Sequence, residues 1–313
     1  MRLFLLLFLI QTISIFSDRI IENDIPQDSY REITYKDLDY KIIIRAKEFR
    51  QGNLAFIKLK SNHDDKNLNP EKFKLIWAKK ELILSPYKKV FFAPMPIHPE
   101  QKVGENELVI QQEKEDKLII RRLVINILKG NFPEKKMYSL TKVPKKYTAH
   151  KYSQETLEFI SKCEKKKQEA FASNSPLGIT GRFVRPLEKI LITSPFYIRR
   201  IYGQNRKSKP HGGVDLRAPT GEKIYAIQDG KVLIAERMFF EGIFTVIDHG
   251  GKIFSLYMHQ SKTLVKEGDQ VKKGDLIGES GSTGVSTGPH LHLGMKVDGT
   301  VVNPLSVLGK HLF

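Results

Sequence analysis

The chain has 313 residues, enough for two domains, and its 40% apolar content suffices for ordinary cores. A formal charge of +17 suits anionic cell-wall polymers or membrane surfaces as partners, and no binding motif accompanies it that would make nucleic acid one. The lone cysteine, Cys163, excludes an intramolecular disulfide.

The first element is a leader. Met1-Arg2 is followed by the apolar run Leu3 to Ile10 and by small residues near Ser14 and Ser17. That pattern predicts a secretory signal peptide over residues 1–17. An uncleaved anchor is the alternative, but the run is short for a membrane span and Asp18-Arg19 follow at once. The expected location is the periplasm or cell envelope.

Residues 28–130 read as short strands: Tyr40 to Ile44, Leu54 to Leu59, Phe73 to Trp77, Val90 to Phe92, Leu108 to Ile110 and Leu118 to Leu128. They are rich in β-branched and aromatic residues and are separated by turn clusters such as Arg50 to Asn53. Regular short strands predict a β-sandwich. Trp77 is expected in its core, and His63 and His98 carry no role.

Residues 131–180 form a connector. Ser153 opens a helical pattern with Leu157, Ile160 and Cys163 on the apolar side and Glu164 to Lys167 on the wet side; Asn174 to Gly178 ends it. Cys163 is expected as a small buried apolar residue. The helix is expected to pack between domains or act as a spacer, with a flap over the C-terminal site as a further option.

Residues 181–313 alternate strands and glycine turns, with no long helix between them: Ile190 to Thr193, Ile224 to Ile227, Lys231 to Ala235, Thr245 to Ile247 and Ile253 to Met258. His249 falls in a hairpin turn, Asp248-His249-Gly250-Gly251, and His150 and His311 have no assigned role. Five other residues carry the chemistry: His211 and Asp215 in Pro-His-Gly-Gly-Val-Asp, His259 in Tyr-Met-His, and His290 and His292 in Gly-Pro-His-Leu-His-Leu. Histidine and aspartate suit a borderline cation such as zinc. A catalytic site needs three protein ligands, so two His and one Asp suffice and two His remain for proton handling. Residues i and i+2 of a strand share a face, so His290 and His292 point into one cleft. Gly212-Gly213 place His211 in a loop. The set points to a metal-dependent hydrolase without the helical His-Glu-x-x-His pattern.

His-Gly-Gly-Val-Asp, Tyr-x-His and Ser-Thr-Gly-Pro-His-Leu-His closely resemble the lysostaphin-like (LytM-type) zinc endopeptidases that cut peptidoglycan cross-bridges. The likeness runs from about residue 180 to 309. It includes Ala218-Pro219-Thr220-Gly221, Asp229-Gly230, Ile247-Asp248-His249-Gly250 and Asn303-Pro304-Leu305. Phe49 to Gly52 resembles the immunoglobulin-like module that precedes some of these domains. By that resemblance His211, Asp215 and His292 would bind Zn2+, while His259 and His290 would be catalytic. His290, next to the ligand position, is the favoured base, with His259 as the alternative; the other of the two would orient water or stabilise the intermediate. Gln260 departs from the family at a position where Leu often follows the central His. The implied fold is mostly β, with an antiparallel sheet folded around a groove. Gly281 to Pro289 is expected as one groove wall, and Phe239 to Gly242 either as another or with Phe240 in the core. The implied function is hydrolysis of peptidoglycan peptide cross-links, with the D-Ala cross-link favoured. The alternative is a non-catalytic scaffold that binds wall or activates another hydrolase. Oligomeric state is not legible.

Overall fold

The computed structural model describes residues 31–63, 68–87, 89–137, 144–147, 151–179, 181–202, 206–207 and 209–309. The leader pattern, His150 and His311 lie outside them. Among the described residues no helix is long and apolar enough to cross a membrane.

The N-terminal part is two facing antiparallel sheets. One has the strand order Arg31–Lys36, Tyr40–Ala46, Leu54–Ser61, Val90–Pro96, Ser85–Tyr87. The other runs Lys80–Leu82, Phe73–Trp77, Gly104–Lys114, Lys117–Ile127. Tyr40–Ala46 shows why they stack: Tyr40, Ile42, Ile44 and Ala46 are fully buried, while Lys41, Ile43 and Arg45 between them face outward. They meet Leu75, Trp77, Ile110 and Ile125 from the opposite sheet in one apolar cluster. Each such large side chain contributes about 1.5–3 kcal/mol by burial. Trp77 lies in this core and donates its indole N–H to the Pro96 carbonyl at 3.0 Å.

The C-terminal part is built on an eight-stranded antiparallel sheet. Its main path runs Ile192–Ser194, Gly213–Arg217, His290–Val297, Ile253–Gln260, Gly242–Asp248, Gly230–Met238, Gln270–Val271; Thr300–Val301 pairs beside it. Lys223–Tyr225, Leu276–Glu279 and Lys262–Thr263 form a small second sheet. Mostly β architecture with antiparallel sheets is what the sequence predicted. One strand pair departs from it. Glu134–Met137, in the connector, runs parallel to Arg199–Tyr202.

The two parts share packing. Leu54 and Phe56 join the apolar cluster of the C-terminal sheet. Leu54 donates its N–H to Ser306 Oγ at 3.1 Å, and Asn303 donates to the Gly52 carbonyl at 2.7 Å. Gly52 has a left-handed φ of +84°, and a Cβ there would meet the Phe196 ring at 2.7 Å. Glycine therefore satisfies both the turn and the close approach.

The connector helix spans Gln154–Phe171, with Ser153 Oγ accepting from Thr156 N. It lies on the C-terminal sheet, where Cys163 and Ala170 join Ile234, Phe244, Val246 and Phe254. Its inner face differs from the expected one. Leu157 is exposed, whereas Lys166 and Lys167 turn toward the sheet. Lys166 pairs with Glu236 and Glu267 at 2.8 Å, and Lys167 pairs with Glu164 at 2.6 Å and Glu241 at 2.5 Å. Positions 163, 166, 167 and 170 share one helical face. Part of this face is held by charge pairing, which a search for apolar spacing passes over.

Candidate metal centre and groove

Backbone pairing builds the centre. Asp215 on Gly213–Arg217 stands directly opposite His292 on His290–Val297, and Met258 pairs with His292 from the other side. His211 precedes the first of these strands. Its backbone is held by Tyr197, whose N–H donates to the His211 carbonyl at 2.9 Å, and by Ile198, whose carbonyl accepts from His211 N. Gly213 is required by close packing: a Cβ would collide with the Leu293 carbonyl and lie 2.6 Å from His292 Nε2.

Three donor atoms converge. His211 Nε2 lies 3.0 Å from Asp215 Oδ1 and 2.9 Å from His292 Nδ1, and His292 Nδ1 lies 2.9 Å from Asp215 Oδ1. The side chains are only 9%, 14% and 10% exposed for His211, Asp215 and His292. His211 donates Nδ1–H to the Pro195 carbonyl at 3.0 Å, which turns the Nε2 lone pair inward. Ligands about 2.0 Å from a tetrahedral ion stand roughly 3.3 Å apart, close to this spacing. Two imidazole nitrogens and a carboxylate oxygen aimed at one point form a donor set that a divalent cation satisfies. Burial alone would raise the Asp215 carboxyl. Hydrogen bonds and charge from His211 and His292 outweigh it and hold the group well below the usual carboxylate range.

The other two histidines stand beside this cluster, their rings 4.8 Å apart. His290 donates Nδ1–H to the Gly288 carbonyl at 2.8 Å, leaving Nε2 3.6 Å from Asp215 Oδ1. His259 has a left-handed φ of 65° and donates Nδ1–H to the Thr283 carbonyl at 2.8 Å. Burial, with the charges of His290 and His292, pushes the His259 imidazole down to about 3. It is therefore neutral at physiological pH, with Nε2 as an acceptor.

The cluster opens into a groove of about 970 Å³. The stretch Val285 to Pro289 lines one part of it, and Phe240 and Glu241 another, as expected for both segments. Glu241 also accepts the backbone N–H of His259 at its carbonyl, 2.9 Å away. All five sequence-predicted residues line this groove. His249 does not. It sits in its hairpin, buried, with Nδ1 2.7 Å from the Asp229 carbonyl and Nε2 2.8 Å from Ser255 Oγ. Gln260 is also buried, and its amide donates to Thr245 Oγ1 at 2.8 Å. His98 is exposed and accepts from Glu100 N at 3.0 Å.

Sequence reasoning passed over two charged groove residues, Lys135 and Arg200. They carry no motif and are two of 52 basic residues. The only local signal is the pair Arg199-Arg200 upstream of His211.

Fold and donor set together define one kind of domain: an antiparallel sheet with a His–Asp–His triplet, able to hold a divalent cation, at the floor of an open groove. Residues 209–304 match the sequence model of Peptidase family M23, and the chain carries a domain of that family. An uncharacterized metalloprotease of Haemophilus influenzae is 42% identical over 117 residues, 37% of this chain and 25% of the relative. A peptidoglycan DD-endopeptidase of Vibrio cholerae is 40% identical over 114 residues, 36% of this chain and 26% of the relative. The matched region thus spans about a quarter of each relative. A Pseudomonas aeruginosa crystal structure assigned to peptidase M23 superposes with a TM-score of 0.53 at 21% identity, covering 85% of this chain and 96% of that one. That likeness shows a shared fold.

Proposed function

We propose that the protein is a zinc-dependent endopeptidase that hydrolyses peptide cross-links of bacterial peptidoglycan during cell-wall remodelling. The observation that carries this reading is the convergence of His211, Asp215 and His292 beside two imidazoles whose second nitrogens are left for the groove. The Vibrio cholerae relative, named a peptidoglycan DD-endopeptidase, supports the D-Ala cross-link as the bond. The leader pattern supports export to the periplasm or envelope, and the basic charge suits weak affinity for an anionic wall there.

His211 Nε2, Asp215 Oδ1 and His292 Nδ1 would hold the ion. A bound zinc supplies Lewis acidity and lowers the pKa of water. His290 offers an Nε2 lone pair fixed in direction by Gly288, and it accepts the proton of the attacking water. His259, neutral and tied to Thr283, orients that water through its own Nε2. The stretch Val285 to Pro289 and the Phe240–Glu241 wall confine the peptide backbone between them.

The test is digestion of purified sacculi by the mature chain, with metal content measured and products identified by mass. Cross-linked dimers converted to monomers, with no new reducing sugar ends, support the reading. Free stem peptides would instead indicate an amidase. Dimers left whole by zinc-loaded protein would remove it in favour of a scaffold.

A further inference from the structure

We propose that Lys135 and Arg200 form an anion-binding wall of the groove that recognises a free carboxylate of the substrate peptide. This deepens the hydrolase reading and rests on it for the identity of the peptide.

The two cations come from different parts of the chain and meet by backbone pairing. In the parallel ladder between Glu134–Met137 and Arg199–Tyr202, Lys135 is the direct partner of Arg200. Side chains at paired positions stand on the same face, and both residues line the groove that holds the metal cluster. Arg200 is held in place. Its Nη2 donates to Ser194 Oγ at 2.9 Å and lies 3.8 Å from Asp215 Oδ2. Lys135 is exposed, and no ion pair for it is found among the described residues.

The strand carrying Lys135 is anchored just upstream. The Phe132 ring lies 4.8 Å from that of Tyr197 and 6.1 Å from that of Phe196, and Arg199 donates its N–H to the Pro133 carbonyl at 3.0 Å. Tyr197 also holds the His211 backbone. The connector and the metal-ligand loop therefore share one support, so Lys135 is placed relative to the cluster.

Charge decides the ligand class. The groove's other ionised wall residue outside the metal cluster, Glu241, is already paired with Lys167 at 2.5 Å. Arg200 itself stands beside Asp215, so the positive charge offered to a ligand comes from Lys135, with the Arg200 guanidinium next to it. Stem peptides of peptidoglycan carry free carboxylates, and a carboxylate bound there lies beside the site of hydrolysis. A surface polymer would be expected on outward lysines rather than inside the groove.

The experiment uses the full chain and two synthetic stem tetrapeptides, one with free carboxylates and one with the same carboxylates amidated. Titration calorimetry on wild type should show the amidated peptide bound about 10-fold more weakly, the scale of one charge-assisted hydrogen bond. Lys135→Gln should bring the two affinities together by weakening only the carboxylate form, and Lys135→Arg should restore the difference. Metal content should not change in either variant. Equal binding of both peptides by wild type, binding of neither, or a full preference persisting in Lys135→Gln would each overturn the proposal. Sacculus digestion separates the two readings. A chain that discriminates the peptides but leaves cross-links whole keeps the anion wall and loses the hydrolase. A chain that cuts cross-links but binds both peptides alike does the reverse.

Discussion

Asp215 and His292 face each other across adjacent antiparallel strands, with Oδ1 and Nδ1 2.9 Å apart. Their spacing is thus set by sheet register rather than by flexible loops. A change at either position removes a ligand without altering the ladder, because strand hydrogen bonds come from the backbone.

Asp215→Ala and His292→Ala should therefore stay folded while metal and activity disappear together. About one zinc per chain is expected in the wild type. Metal analysis and circular dichroism on the same preparations check this. Full metal retention by both variants would rule out the proposed donor set.

His290→Ala and His259→Ala should keep most of the metal and lose wall cutting by roughly 100-fold or more. Their nitrogens face Gly288 and Thr283 carbonyls and the groove, and neither belongs to the converging triplet. Zinc loss in His290→Ala as large as in His292→Ala would show that the two roles are exchanged.

Lys167→Met should destabilise the fold by about 1–3 kcal/mol, since it leaves the largely buried Glu241 carboxylate without its cation. The double variant Lys167→Met/Glu241→Gln should recover part of that loss. Urea unfolding measures both. Equal stability of Lys167→Met and wild type would mean that the Lys167–Glu241 pair adds nothing net to stability.

His249 predicts an acid-sensitive step. Burial pushes its imidazole down from 6.5 to about 4 in the fold. Above pH 6.5 both folded and unfolded chains carry it neutral, so its contribution is constant. As pH falls from 6.5 to 4 only the unfolded chain takes the proton, and stability declines; below 4 the loss is complete. The full effect is on the order of 3 kcal/mol. Thermal unfolding followed across this range should show a shallower pH slope in His249→Asn than in wild type. Identical slopes would show that this imidazole is not held neutral.

Much of the architecture was legible locally. Tyr40–Ala46 declares its buried face by strict alternation, and Ser153 marks a helix start by its capping hydroxyl. The short edge strands Lys80–Leu82 and Ser85–Tyr87 were not legible, because three residues are too few to show a period. The burial of His249 and Gln260 was hidden for another reason. A polar side chain inside a sheet is stabilised by partners from other strands, here Ser255 and Thr245.

The sequence by itself determined the donor types, the strand that turns His290 and His292 to one side, and the glycine pair Gly212-Gly213 that puts His211 in a loop. These depend on residue chemistry and on a two-residue period, which neighbours along the chain express. Only the tertiary structure decided that Lys167 meets Glu241 and that Lys135 comes to lie beside Arg200. Such pairings between distant segments follow from packing and ladder register, and no short stretch of sequence encodes them.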